Sequence, residues 1–188
     1  MRHPAAVALA MGLAMILPGS ASGQHDAHAH GPGKPGTIAI PRAMQAEHAA
    51  IHQRLERATA LPGRTGAAAR ALAEVLHPHF VREEQIALPP LGLLEPLARG
   101  EFAGAMAAVL PMTDSLRAEL PRMLEEHKAI RAATVRLGEV AKAEGQAGAA
   151  ALAAELAAHA LAEEQLFYPA ALLVGEVVKN RAGGHEHH

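Results

Sequence analysis

The chain contains no cysteine and no tryptophan, and its 188 residues include one tyrosine, Tyr168, and three phenylalanines. Without cysteine there can be no disulfide, thiolate zinc site, iron–sulfur cluster or cysteine nucleophile. So few aromatics argue against stacking on single-stranded nucleic acid. Charges nearly balance, with 17 Lys and Arg against 19 Asp and Glu, so no basic footprint for a polyanion is present. Two residue types are abundant instead. There are 45 alanines, the strongest helix formers, and 13 histidines. A helix-rich, His-rich, Cys-free chain points to metal held by imidazole.

Arg2 and His3 open a short basic end, residues 5–17 are apolar, and residues 18–23 are small and helix-breaking. This is the layout of a secretory signal peptide, and the apolar run is short for a bilayer span. Cleavage after Ala21 or Gly23 is expected, with export of the mature chain to the periplasm. An uncleaved membrane anchor is the alternative. An oxidising compartment costs a cysteine-free chain nothing. Residues 24–40, rich in His, Gly and Pro, suggest a flexible linker, residues 41–182 a domain and residues 183–188 a His-rich tail.

Apolar periodicity marks four helices in the domain. The first spans about residues 41–61, with Met44, His48, Ile51, His52 and Leu55 on one face. The second spans about 65–88, with Leu72, Val75, Leu76, His79, Glu83 and Ile86. A connection over 91–111 holds a short apolar piece at 102–110 that could form a small helix. The third helix starts near Thr113 with a kink at Pro121, or at Pro121 itself, and carries Leu120, Leu124, His127, Ile130, Leu137 and Val140. The fourth spans about 147–180, with Leu152, Leu156, His159, Glu163 and Leu166 and a possible break at Tyr168-Pro169. Four amphipathic helices make an antiparallel, up-and-down four-helix bundle the expected all-α fold. An extended or oligomeric helical array is the alternative.

The two halves repeat each other. HFVREEQIALP from His79 matches HALAEEQLFYP from His159, with His, both Glu, Gln and Pro 80 residues apart throughout. PRAMQAEHAAI around His48 is echoed by PRMLEEHKAI around His127, where the His offset is 79. The bundle is therefore read as two pseudo-symmetric helical hairpins, each with one His on its first helix and His-x-x-x-Glu on its second.

Residues i and i+4 stack on one helix face, so His79 with Glu83 and His159 with Glu163 point together into the core. Four imidazoles and two carboxylates in an apolar interior cost several kcal/mol or more unless paired, and bound cations resolve that cost. Six such groups with twofold pseudo-symmetry suit two adjacent divalent metals bridged by the carboxylates. Imidazole and carboxylate suit iron, with manganese or zinc possible. Glu84 and Glu164 are turned about 100° from the ligand face, which assigns them a structural role behind the ligands.

With Glu47-His48, Glu125-Glu126-His127 and the doubled His-x-x-x-Glu-Glu, the chain resembles the hemerythrin-like, or HHE cation-binding, family over about residues 41–180. The resemblance implies a four-helix bundle with two non-haem iron ions. Their terminal ligands would be His48, His79, His127 and His159, and their bridging carboxylates Glu83 and Glu163. Oxygen-carrying members have a fifth His one turn after the first His of the third helix; Arg131 stands there in this chain. His52, one turn after His48, is the candidate fifth ligand, with an outer or exposed role as the alternative. His77 is two residues from His79 and is expected to face away.

Three functions are compatible with these features. The first is a metal-binding protein that binds, senses or scavenges a small ligand such as O₂ or NO, with no nucleic acid and no membrane as partner after leader cleavage. The second is a di-iron enzyme, an oxidase or a peroxide- or NO-consuming catalyst, with Tyr168 as the one candidate redox tyrosine. Bundle-end packing is the expected role of that tyrosine. The third is a periplasmic metal buffer using His25, His28, His30, His185, His187 and His188 of the two ends.

Overall fold

In the computed structural model, residues 38–183 are described. The expected leader, the linker up to residue 37 and the tail beyond residue 183 lie outside the described residues. Helix α1 (Arg42–Thr59) follows Pro41, which sits one residue before the first helical position. A short turn with Pro62, and Gly63 at φ +74°, leads into α2 (Gly63–Ile86). The start of α2 has no cap of its own. Glu144 supplies one from across the bundle, accepting hydrogen bonds from the backbone N–H of Thr65 at 2.9 Å and of Arg64 at 3.2 Å.

Pro89 and Pro90 end α2, and the chain continues through a 3-10 turn (Pro89–Leu93), the short α3 (Leu94–Ala98) and a second 3-10 turn (Gly104–Val109). The expected small helix at 102–110 is that second 3-10 turn. Helix α4 (Leu110–Ala143) begins three residues before Thr113, within a turn of the first expected start, and runs through Pro121. Gly145, at φ +69°, closes the turn to α5 (Ala147–Ala162). A π-helical turn, Glu163–Phe167, then joins α5 to α6 (Tyr168–Gly183). The irregularity anticipated at Tyr168-Pro169 thus lies one turn earlier. Pro169 cannot donate a backbone hydrogen bond, which favours a widened turn on its N-terminal side.

All four neighbouring helix pairs run antiparallel. Arg82 pairs with Glu119 while His79 pairs with Glu126, so rising numbers on α2 meet falling ones on α4. Arg54–Glu155 and Glu47–His159 set the same sense between α1 and α5. His48–Glu84 with Arg70–Thr59, and His127–Glu164 with Arg117–Glu176, do so for α1–α2 and for α4 against α5–α6. The result is the expected up-and-down bundle of two hairpins.

Besides a smaller cluster of Leu93, Val109, Val174 and Val178, two apolar layers fill it. One is built on Ile51, Leu55, Leu72, Leu76, Phe80, Ile130, Leu137, Leu152 and Leu156, the other on Ile86, Leu88, Leu91, Leu116, Met123, Tyr168 and Ala171. The His and Glu residues of interest fall where these layers meet, as His127 does between Met123 and Ile130 and Glu83 between Phe80 and Ile86. Two stripe positions differ from expectation. Val75 is exposed, and Leu166, within the π turn, is 60% exposed. Among the described residues no helix is long and apolar enough to cross a membrane.

Candidate metal centre

The layer between the apolar clusters is polar and dry. His48, His79, His127, His159, Glu83 and Glu163 are all buried, and Glu83 is wholly inaccessible. Helix α1 contributes His48, α2 His79 and Glu83, α4 His127, and α5 with its π turn His159 and Glu163. The i, i+4 spacing brings each His to its Glu: His79 Nε2 lies 3.4 Å from Glu83 Oε1, and His159 Nε2 2.7 Å from Glu163 Oε1. The other contacts cross between helices. His127 Nε2 is 3.4 Å from Glu163 Oε2, and His48 Nε2 is 3.7 Å from Glu163 Oε1 and 3.9 Å from Glu83 Oε2. Glu83 therefore turns one oxygen toward His79 and the other toward His48, and Glu163 one toward His127 and the other toward His48 and His159.

The six side chains form two groups whose potential ligand atoms lie within 4.8 Å of one another. One is His79, Glu83, His127 and Glu163; the other is His48, His159 and Glu163. The donor set fits a cation. Nε2 of His48 and His159, Oε2 of Glu83 and Oε1 of Glu163 are buried without a hydrogen-bond partner, the close His159–Glu163 approach being out of line for one. Buried polar atoms are almost always paired, so four orphans converging on one spot require an explanation. A cation held there would supply it.

A further set of carboxylates holds the imidazoles by their other nitrogen. His48 Nδ1 meets Glu84 at 3.2 Å, His79 Nδ1 meets Glu126 at 2.9 Å, His127 Nδ1 meets Glu164 at 2.7 Å and His159 Nδ1 meets Glu47 at 3.0 Å. With Nδ1 protonated as donor, each ring presents a bare Nε2 inward. The contacts run from α1 to α2, α2 to α4, α4 to α5 and back to α1, closing a ring around the bundle. Glu84 and Glu164 thus have the supporting role expected of them. Glu47 and Glu126 are equal members of the ring that sequence reasoning passed over. The signal was present: each of the four adjoins a ligand candidate in sequence, and each recurs in the other half.

Electrostatics carry the same message. Burial disfavours charge on His79 and His159, but the carboxylates outweigh it: Glu83 lifts His79 to about 8 and Glu163 lifts His159 to about 9. His48 is raised as well, against burial, by Glu163 and Glu83. Burial and the neighbouring Glu163 charge push Glu83 up, whereas Glu163, despite burial, is held well below the carboxylate range by His127, His159 and His48.

The remaining expected residues lie differently. His52 belongs to neither group; it packs edge-on against Phe80, ring centres 5.1 Å apart, and Phe80 in turn stacks on His48 at 4.0 Å. His77 is exposed, as expected, and touches His52. Arg131 forms an ion pair with Glu164, steadying the carboxylate that holds His127. Tyr168 is not mere bundle-end packing. It is 1% exposed and its hydroxyl enters the centre, donating to Glu83 Oε1 at 2.5 Å and lying 3.1 Å from His127 Nε2.

Residues 40–171 match the family model described as the hemerythrin HHE cation binding domain. No curated protein and no solved structure matches the chain significantly.

Proposed function

The chain belongs to the hemerythrin HHE cation-binding family, and from that premise we propose that it is a non-haem di-iron protein that binds, senses or scavenges a small ligand such as O₂ or NO. The observation that carries the reading is the set of converging, unpartnered buried atoms on His48, His159, Glu83 and Glu163. His79 and His127 would hold one iron and His48 and His159 the other, with Glu83 and Glu163 spanning both. Bound iron supplies a redox-active Lewis acid for the small ligand.

The protein's own part is positional. The Glu47, Glu84, Glu126 and Glu164 carboxylates keep Nδ1 protonated and the rings oriented. The apolar layers above and below keep bulk water from the centre. Export to the periplasm is part of the same proposal and rests on the leader sequence.

Anaerobic loading of the chain with ferrous iron, followed by metal analysis and visible spectra before and after O₂, tests the reading. Two irons per chain and a reversible spectral change are expected. Less than one iron per chain overturns it. An irreversible change with product turnover favours an oxidase instead.

A further inference from the structure

The pseudo-twofold repeat that builds the centre is broken at one buried position. Tyr168 and Leu88 are 80 residues apart and correspond in the two halves. Both are 1% exposed. Both also close an i to i+5 backbone hydrogen bond onto the bridging glutamate of their own half. Leu88 N–H donates to Glu83 O at 3.0 Å, and Tyr168 N–H donates to Glu163 O. The two positions share this local hydrogen bond, although α2 ends at Ile86 while the second half continues into α6, and their side chains differ in kind: an alkyl group in one half, a phenol in the other.

The phenol oxygen sits among metal-binding atoms. It lies 2.5 Å from Glu83 Oε1, 3.1 Å from His127 Nε2 and 3.4 Å from His79 Nε2. Neighbouring ligands of an octahedral ion, each about 2.1 Å from the metal, stand about 3.0 Å apart. The separations of Tyr168 Oη from these three atoms bracket that value, the shortest being the hydrogen bond that the phenol proton makes with Glu83 and that metal would replace. His79–Glu83 and His127–Glu163, each at 3.4 Å, complete the same cage. No tyrosine approaches His48 and His159, since Tyr168 is the only one in the chain. Phe80 lies against both of those rings instead, 4.0 Å from His48 and 5.6 Å from His159.

We infer that Tyr168 is a metal ligand, its phenolate oxygen binding the ion held by His79 and His127, so that the two metal positions are chemically unequal. The metal replaces the phenol proton, which leaves to solvent on loading; no electron is transferred in this step. An oxygen donor from the last helix thereby adds to a centre whose third helix carries Arg131 in place of a second histidine. The inference rests on the di-iron reading and goes beyond it.

Ferric phenolate has its own signature, a visible charge-transfer band whose resonance Raman spectrum contains tyrosinate ring modes. The full chain, loaded with iron and oxidised in air, is expected to show both, and with a single tyrosine any such signal is Tyr168. Compared per iron bound, Tyr168→Phe should lose the band and the ring modes while keeping its helicity, and a band of undiminished intensity in that variant overturns the assignment. Two irons per chain without tyrosinate modes in the wild type overturns the ligand assignment and leaves the di-iron reading standing. Failure of the wild type to take up iron overturns both. The wild-type spectrum decides the matter even if Tyr168→Phe fails to fold.

Discussion

His159, on the last bundle helix, hydrogen-bonds through Nδ1 to Glu47 on the first, at 3.0 Å. The contact spans 112 positions of sequence and closes the ring of carboxylates behind the four imidazoles. Because the ring sets both the tautomer and the tilt of each ligand, it should govern affinity without touching the metal. Glu47→Ala is expected to weaken metal binding by roughly 10- to 100-fold, and Glu47→Gln by less, since an acceptor survives. Glu84→Ala, Glu126→Ala and Glu164→Ala should behave alike. Competition titration against a chelator measures each.

Removing a bridging group and removing an outlying histidine should separate cleanly. Glu163 faces both halves of the centre, whereas Phe80 stands between His52 and His48. Glu163→Ala should abolish two-metal loading, and His52→Ala should leave metal content unchanged. Iron per chain after reconstitution and desalting distinguishes the outcomes. A loss of iron in His52→Ala would return that residue to the ligand set.

Acidity should act in opposite senses on the empty and loaded protein. In the metal-free chain His79 and His159 are raised from 6.5 to about 8 and about 9. A raised value contributes stability that is whole below the unfolded value and is lost as pH rises through the folded one. The melting temperature of the metal-free chain should therefore fall between about pH 6.5 and 9. The loaded chain needs neutral imidazoles, so protons compete with metal as pH falls, and release is expected below about pH 5. Calorimetry with and without chelator across this range tests both.

Glu144 makes a separate acid-sensitive link far from the centre along the helices. The Thr65 hydroxyl and backbone N–H, then Arg64, hold its carboxyl down to about 2. A lowered value contributes stability present above the unfolded value and lost as pH falls through the folded one. Glu144→Gln should lower the melting temperature at neutral pH, and the difference from wild type should shrink below pH 4.5 and vanish toward about 2. A constant difference down to that pH would remove the carboxylate from the capping role.

The residues facing the centre were readable in the chain because their geometry is local. Four residues of α-helix return a side chain to the same face, so His79 with Glu83 and His159 with Glu163 declared themselves by spacing, and the repeat doubled the signal. The same periodicity misassigned Leu166 and left Tyr168 unplaced. Five α-helical residues beyond Glu163 would carry a side chain about 140° away from it, off the ligand face. The π turn instead closes an i to i+5 bond and keeps Tyr168 under Glu163; Pro169 signals an irregularity nearby, but not its π geometry.

Fold class, hairpin repeat and the inward set of four histidines and two glutamates thus follow from helix periodicity and the cost of burying charge, both contained in the order of residues. Which glutamate supports which imidazole, where His52 ends up behind Phe80, and the entry of the Tyr168 hydroxyl between Glu83 and His127 required the folded chain. Those relationships join different helices, and their distances are set by how the helices pack, information that no short window of sequence carries.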